Sequence, residues 1–321
     1  MLHDDLTDRV FFCAPGSWQL HQCRGCGSAY LDPRPTPETI HLAYRTYYTH
    51  STRARVATGD LSVPRRFVRA LANGYRNSRY GGDLQPSATS GALVIPLFPR
   101  YKQALDREFR YIPRAWDGAR ILDVGFGSGA FLQLARQVGW DVAGADPDPV
   151  AVEAARADAL DVRQGGIETF ADQAESFDVI TLSHVIEHVY DPKTLLKHAS
   201  QLLKRGGWLY VDTPNIEALG HEEFGEHWRG LEVPRHLTIF SWSALERLVI
   251  ENGFDVRSRI CRTDVYPELA AASRAMKAAK DPYKEGAVTA RDRLMGAVLG
   301  LRARLNHHHS EFITLMARKS T

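Results

Sequence analysis

Asp123, Gly125, Gly127 and Gly129 occupy alternate positions at the end of an apolar run, Ile121-Leu122-Asp123-Val124. Ile, Leu and Val predict a buried strand, and the glycines allow a turn that a ligand can approach at backbone distance. A helix is expected from Ala130-Phe131-Leu132, and the free N–H groups at its start would face whatever lies over the turn. Asp146 ends the next predicted strand, 141–146, about 20 residues beyond the glycines, where a carboxylate can hold ribose hydroxyls. A glycine-rich turn is shared by every dinucleotide-binding fold, so the chemistry depends on residues farther along the chain.

A strand over 177–183 leads into His184-Val185-Ile186-Glu187-His188. Spaced i, i+3, i+4, His184, Glu187 and His188 share one face if the segment is helical. Two imidazoles and a carboxylate can act as proton acceptors or hold a divalent cation. Toward the C-terminus, Trp228, Arg229, Arg235 and His236 are gathered in one loop. Near the start, Cys23-Arg24-Gly25-Cys26-Gly27 has the form of a zinc knuckle. Zinc needs four ligands, and no second such pair exists; Cys13 with His21 or His3 would have to complete the set. The expectation is a metal-free loop.

The elements that position these residues alternate strand and helix. Strands are expected at 119–124, 141–146, 161–164, 177–183, 207–213 and 254–262, with helices at 129–138, 149–157, 192–204 and 242–252. That alternation predicts a parallel sheet covered on both faces by helices. Gly206-Gly207 reads as the end of the third helix. Residues 1–50 read as an irregular segment and 51–115 as a helical cap. The cap contains a basic amphipathic helix over 64–80, with Phe67, Leu71 and Tyr75 on one face, and a helix near 97–112. The core, 116–321, carries a helical insertion at 263–309 before a final strand, Glu311 to Arg318.

In this order the motifs resemble those of the class I S-adenosylmethionine-dependent methyltransferases. The similarity is greatest to a bacterial group with a D-x-G-x-G-x-G turn, here Asp123 to Gly129, and an H-V-I-E-H segment, here His184 to His188. The resemblance implies an α/β, Rossmann-like sheet of seven strands in order 3-2-1-4-5-7-6, the last antiparallel. It implies S-adenosylmethionine held by Asp123, Gly125, Phe126, Gly127, Ser128, Gly129, Asp146, Pro147, Ile167, Glu168, Ser183 and His184. His184, Glu187 and His188 resemble the E-x-x-E-H metal site of ubiquinone-pathway O-methyltransferases, with histidine in place of the first glutamate. A structural Glu187–His188 pair is the expectation instead. Pro234-Arg235-His236-Leu237-Thr238-Ile239-Phe240-Ser241 matches the family's P-x-H-L-x-x-F-S loop. His236 is therefore the first choice of base, with His184 and His188 behind it. Tyr48, Trp228 and Arg229 are the expected substrate contacts. Many relatives carry a full zinc ribbon ahead of the core, of which this chain has the second half.

The implied reaction is SN2 methyl transfer to an oxygen of a small molecule, a sugar or glycan, or a quinol-like acceptor. C-methylation of a sugar is the alternative. The Leu182-Ser183-His184-Val185 run is unlike the N/D-P-P-Y of amino-group methyltransferases. A nicotinamide-dependent oxidoreductase would call for a Tyr-x-x-x-Lys, which does not occur. A non-catalytic binding protein would not need Gly125 to Gly129 and Asp146 intact.

Composition agrees with a soluble globular chain: 321 residues, 44% hydrophobic and 24% charged, with net charge +2. No basic excess asks for nucleic acid, no apolar run reaches membrane-span length, and Asp4 and Asp5 stand where a signal peptide carries basic residues. A cytoplasmic location is expected. Four cysteines make no disulfide framework.

Overall fold

The computed structural model of the chain describes residues 1–45, 62–262 and 265–320. In chain order the elements are strands β1 (His3–Leu6), β2 (Trp18–Gln22) and β3 (Ala29–Leu31), helices α1 (Val63–Tyr80), α2 (Gly91–Val94) and α3 (Pro99–Glu108), and strand β4 (Arg120–Val124). Then come α4 (Ala130–Gln137), β5 (Asp141–Asp146), α5 (Pro149–Ala157), β6 (Asp161–Gln164), β7 (Phe177–Ser183), α6 (Pro192–Leu202) and β8 (Leu203–Pro214). The chain closes with α7 (Leu219–Phe224), β9 (Thr238–Ile239), α8 (Trp242–Glu251), β10 (Phe254–Ile260), α9 (Tyr266–Lys277), α10 (Ala290–Leu305) and β11 (Phe312–Lys319).

Seven strands form one sheet in the order β10-β11-β8-β7-β4-β5-β6, with the last strand antiparallel. Counted along the core, this is the expected order. β4 lies parallel between β5 and β7, with Asp123 level with Gly144 on one side and Thr181 on the other. Capping residues stop and start the helices where the sequence provides them. Asp148 accepts the Val150 N–H at 2.7 Å ahead of α5, and Thr289 and Asp292 close a capping box on α10.

By its internal packing the chain divides into two units. One comprises Tyr48–Leu182, His198–Tyr210 and Lys319–Thr321. Its core runs from Tyr80, Phe109 and Ile112 through Ile121, Phe126 and Leu132 to Val162 and Val179. Buried Asp106 ties the helical cap together. It accepts the hydroxyls of Tyr75 at 2.7 Å and Tyr80 at 2.8 Å, and pairs with Lys102 at 2.6 Å. The helix expected near 97–112 ends at Glu108, because Arg110 and Tyr111 take φ of +48° and +54°. Such angles cannot continue a right-handed helix.

The other unit comprises Met1–Tyr47, Ser183–Lys197 and Val211–Arg318. The segment expected to be irregular here forms an antiparallel sheet, β1-β2-β3-β9, over a core of Leu6, Leu20, Leu31, Trp228 and Ile239. β3 finds its partner more than 200 residues away, with Ala29 opposite Ile239, so local pattern gave no sign of it. In the expected insertion α9 packs with α10, Tyr266 and Ala270 meeting Leu299. Gly206-Gly207 does not end a helix. α6 stops at Leu202, and Gly206 lies at φ +69° inside β8.

Candidate functional site

In the unit holding the glycine turn, Gly125, Gly127 and Gly129 adopt φ of +68°, +55° and +72°. A side chain at any of them would be strained, which is why glycine repeats there. A Cβ at Gly127 would meet nothing within 4 Å, so the space over the turn is open. Asp146 fixes the turn from the next strand. Its Oδ2 accepts the Gly127 N–H at 2.8 Å and its Oδ1 accepts the Asp148 N–H at 2.9 Å.

Asp123 is fully buried. Its Oδ1 is held by the Arg110 guanidinium and by the Thr181 hydroxyl at 2.8 Å. Its Oδ2 is buried without a hydrogen-bond partner. Burial raises the Asp123 pKa, opposed by the Arg110 charge. A buried carboxylate oxygen without a partner, two residues before a cleared glycine turn, fits the ammonium of a methionine moiety. The residues present therefore suit S-adenosylmethionine.

Other expected cofactor contacts are placed less directly. Phe126 is 4% exposed and packs into the core, so only its backbone faces the turn. Ser128 and Pro147 are exposed. Ile167 is buried, and Glu168 folds back so that its Oε1 accepts the Gly166 N–H at 2.8 Å.

In the other unit, residues 184–188 form turns rather than a helix, and His184 sits at φ +55°. His184 still meets Glu187, Nδ1 to Oε1 at 3.3 Å, while its Nε2 lies 3.5 Å from Asp212 Oδ2. Burial works against the charged His184 ring, but the Glu187 hydrogen bond and the Asp212 and Glu187 charges outweigh it and raise its pKa. Asp212 is itself held by Arg262 and by the Thr314 hydroxyl, both at 2.6 Å.

His188 does not join His184 on a helix face. It stands edge to face with His236, the ring centroids 4.8 Å apart. His236 Nδ1 donates to the Gly230 carbonyl at 2.8 Å, and His188 Nδ1 donates to the Arg235 carbonyl at 3.0 Å. The Tyr44 hydroxyl lies 3.1 Å from the same His188 nitrogen. A carbonyl can only accept, so Nδ1 is the donor in each ring, and the neutral His236 ring keeps its lone pair on Nε2. Burial pushes the His236 pKa down to about 4, more strongly than the nearby Glu232 charge raises it.

Glu187 is fully buried, with Oε2 accepting the Thr213 hydroxyl at 2.9 Å. Burial would raise its pKa, but the His184 hydrogen bond and the surrounding imidazoles bring it to about 2. One ligand atom from each of Glu187, His188 and His236 lies within 4.8 Å of the others. Imidazoles fixed through Nδ1 to backbone carbonyls, beside a carboxylate, make a donor set suited to a first-row divalent ion. The possible ligand set that the spacing offered, His184 with Glu187 and His188, is not the one grouped here; His236 from the distant loop stands in the place of His184.

Several expected residues serve the packing instead. Trp228, expected to wall a substrate pocket, is 1% exposed and donates its indole N–H to Glu311 at 3.0 Å. The Arg229 guanidinium is held by Glu232 and the Tyr283 hydroxyl, both at 2.5 Å. Arg235 is fully buried, forked onto Asp8 at 2.6 and 3.1 Å and bonded to the Ala43 carbonyl at 2.8 Å. Neither cation is left to grip an anion. Tyr48 lies outside the described residues. Cys13 faces the Ala43 carbonyl at 3.2 Å, while Cys23 is bonded by the Cys26 and Gly25 backbone N–H groups, which lower its pKa. Among the described residues the three cysteines form no ligand group.

Arg110, Thr181 and Asp212 were not singled out in the sequence. Asp212 carried a signal, a charge directly after the apolar run Trp208-Leu209-Tyr210-Val211, since a buried charge needs a partner. Arg110 carried none, because two left-handed residues bring it to Asp123.

Residues 97–259 match the family described as "Methyltransferase domain". Among curated proteins, the chain is 39% identical over 119 residues to the ubiquinone biosynthesis O-methyltransferase of Chelativorans sp. (strain BNC1), covering 34% of this chain and 47% of that protein. It is 36% identical over 115 residues to the protein of the same name from Mesorhizobium japonicum, covering 33% of this chain and 46% of that protein. The chain thus spans about half the length of the curated relatives it matches. Among solved structures, an S-adenosylmethionine-dependent methyltransferase from Mesorhizobium loti is 18% identical, with a TM-score of 0.44 over 67% of this chain and 97% of that one. With the family match extending over residues 97–259 of 321, the chain belongs to the methyltransferase-domain family, class I enzymes that use S-adenosylmethionine.

Proposed function

We propose that the protein transfers a methyl group from S-adenosylmethionine to an oxygen of a small-molecule acceptor, with His236 taking the acceptor's proton. The observation that carries this reading is the state of His236. Its Nδ1–H is tied to the Gly230 carbonyl, and its lowered pKa keeps the ring neutral at neutral pH with a lone pair on Nε2. An oxygen nucleophile needs such an acceptor, whereas methyl transfer itself is chiefly a matter of alignment.

S-adenosylmethionine supplies a methyl group already activated on a sulfonium. In this reading Asp123 holds the methionine ammonium through its open Oδ2, with Arg110 fixing the other oxygen. Gly125, Gly127 and Gly129 let the backbone approach, and Asp146 takes the ribose hydroxyls with the lone pairs its two amide contacts leave. His236 Nε2 would take the proton of the acceptor hydroxyl, leaving the oxygen free to receive the methyl group. His188 stands beside His236 as a second acceptor.

For the acceptor we propose a quinol-like or catechol-type hydroxyl, in line with the names of the curated relatives. A direct test is methyl-labelled S-adenosylmethionine offered with catechols, quinols and sugars, followed by locating the label. Label on a phenolic oxygen supports the reading; label on a sugar carbon would replace it with C-methylation.

A second reading is favoured by Glu187, His188 and His236, which would hold a divalent ion whose charge would lower the pKa of the acceptor hydroxyl. Dialysis against a chelator separates the two. Activity that survives with no protein-bound metal leaves His236 as the base, and activity lost and restored by zinc or manganese favours the ion.

A further inference from the structure

Cys23 and Cys26 are both free and both partly exposed, in the turn that joins β2 to β3. The Cys23 N–H donates to the Ser28 carbonyl at 2.8 Å, and the Gly27 N–H donates to the Cys23 carbonyl at 2.9 Å. Gly27 takes φ +77°, the left-handed angle that closes the turn. The Cys23 sulfur accepts the backbone N–H groups of Cys26 and Gly25 and the Cys26 thiol itself. The two sulfurs are thus in contact across a turn fixed at both ends.

Those donors, Cys26 N–H first, lower the Cys23 pKa, and the Arg247 charge adds a smaller effect in the same direction. The two sulfurs therefore differ: one is stabilised as the thiolate, and the other donates to it. Thiol–disulfide exchange uses that division, with one sulfur attacking and its neighbour resolving. The turn is also bonded to a distant segment. The Ser241 hydroxyl donates to the Cys26 carbonyl at 2.6 Å, and the Ser241 N–H donates to the Ser28 hydroxyl at 3.1 Å. The same Ser241 hydroxyl caps α8 through the Ala244 N–H at 3.3 Å. The pair is thus seated on two strands and a helix start.

Metal binding is the other chemistry open to two thiols. Tetrahedral zinc needs two further ligands. The Cys13 thiol is directed at the Ala43 carbonyl, at 3.2 Å. Among the described residues no His, Cys, Asp or Glu joins Cys23 and Cys26 in a ligand group.

We infer that Cys23 and Cys26 are a redox-active dithiol that closes to a disulfide by exchange with a small-molecule disulfide such as oxidised glutathione. The Cys23 thiolate attacks one sulfur of the oxidant and expels a glutathione thiolate, leaving a mixed disulfide on Cys23. Cys26 loses its proton, attacks the Cys23 sulfur and expels the second glutathione thiolate. Two protein thiols are oxidised, one glutathione disulfide is reduced to two thiols, and the expelled thiolates take up the protons the cysteines gave up.

The test is equilibration of the full chain in graded mixtures of reduced and oxidised glutathione, then alkylation and mass spectrometry of the peptide that holds both cysteines. Both thiols should be lost together in one transition, with Cys13 and Cys261 still alkylated. Cys26→Ser should trap the mixed disulfide on Cys23, and Cys23→Ser should leave Cys26 alkylated. In the reduced chain near neutral pH, alkylation should be faster at Cys23 than at Cys26. The melting temperature of each serine variant controls for folding. A pair that stays alkylated in every mixture, or that oxidises only in step with Cys13 and Cys261, overturns the inference. So does a disulfide that joins two chains, or metal analysis of the reduced chain showing one zinc that both variants lose.

Discussion

The rings of His188 and His236 stand edge to face, with 4.8 Å between centroids and 67° between planes. Each donates through Nδ1 to a carbonyl of the same loop, that of Arg235 for His188 and that of Gly230 for His236. The loop that carries His236 thus orients both rings, and the lowered pKa of His236 leaves its own Nε2 unprotonated at neutral pH. Glu187, ionised and fully buried, completes the group.

His236→Asn keeps a donor for the Gly230 carbonyl but removes the proton acceptor. Turnover should fall by about 10²–10⁴-fold, the usual worth of a general base, with S-adenosylmethionine affinity unchanged. The pH profile of kcat/KM should hold its acid limb near the His236 pKa of about 4, not near 6.5. Stability follows the same group. The unfolded chain binds a proton at His236 below pH 6.5, and the folded chain does so only near 4. Stability from this site is therefore full above 6.5 and falls, by about 3 kcal/mol, as pH drops through that window. Chemical denaturation of His236→Asn across the window should lack this slope.

Asp146→Ala deletes the acceptor for the Gly127 and Asp148 N–H groups as well as the proposed ribose contact. Cofactor affinity should drop about 10–100-fold, as expected for charged hydrogen bonds of about 1.5–3 kcal/mol. Circular dichroism should show the fold retained. Unchanged affinity by calorimetry would remove Asp146 from the cofactor site.

Glu311 runs opposite to His236. Burial raises its pKa to about 7, against the lowering effect of the Gly220 and Trp228 N–H donors. Between pH 4.5 and 7 the folded chain holds a proton that the unfolded chain releases, so this group costs stability as pH rises. Glu311→Gln keeps an acceptor and cannot ionise. Its melting temperature relative to wild type should climb from about pH 4.5 to 8, and a constant difference would refute the assignment.

Gly74→Ala tests the cap. A Cβ there would come within 1.7 Å of the Ala88 carbonyl oxygen, where α1 presses on the following loop. Backbone has to move, so a loss of about 2 kcal/mol or more is expected from overpacking, read by urea denaturation.

What could be read from sequence was periodic or local. Alternate glycines after a strand, and a carboxylate ending the next one, are set by backbone geometry within a single strand–turn–helix unit. The sheet order followed from that unit's repetition and from resemblance. His188 with His236 could not be read in this way, because their meeting depends on the left-handed His184, at φ +55°, and on a loop folded far along the chain. Trp228 and Arg229 misled because residue type in a loop does not reveal burial. One is held by Glu311 and the other by Glu232 and Tyr283. The β1-β2-β3-β9 sheet was hidden for a related reason, since its strands are short and its fourth member is two residues long.

The most direct test of the central reading is calorimetric titration of the full chain with S-adenosylmethionine, with NADH in parallel. Saturable one-to-one binding of S-adenosylmethionine, weakened in Asp146→Ala and kept in His236→Asn, is the predicted result. Binding of NADH alone, or S-adenosylmethionine binding that ignores Asp146, would contradict the account.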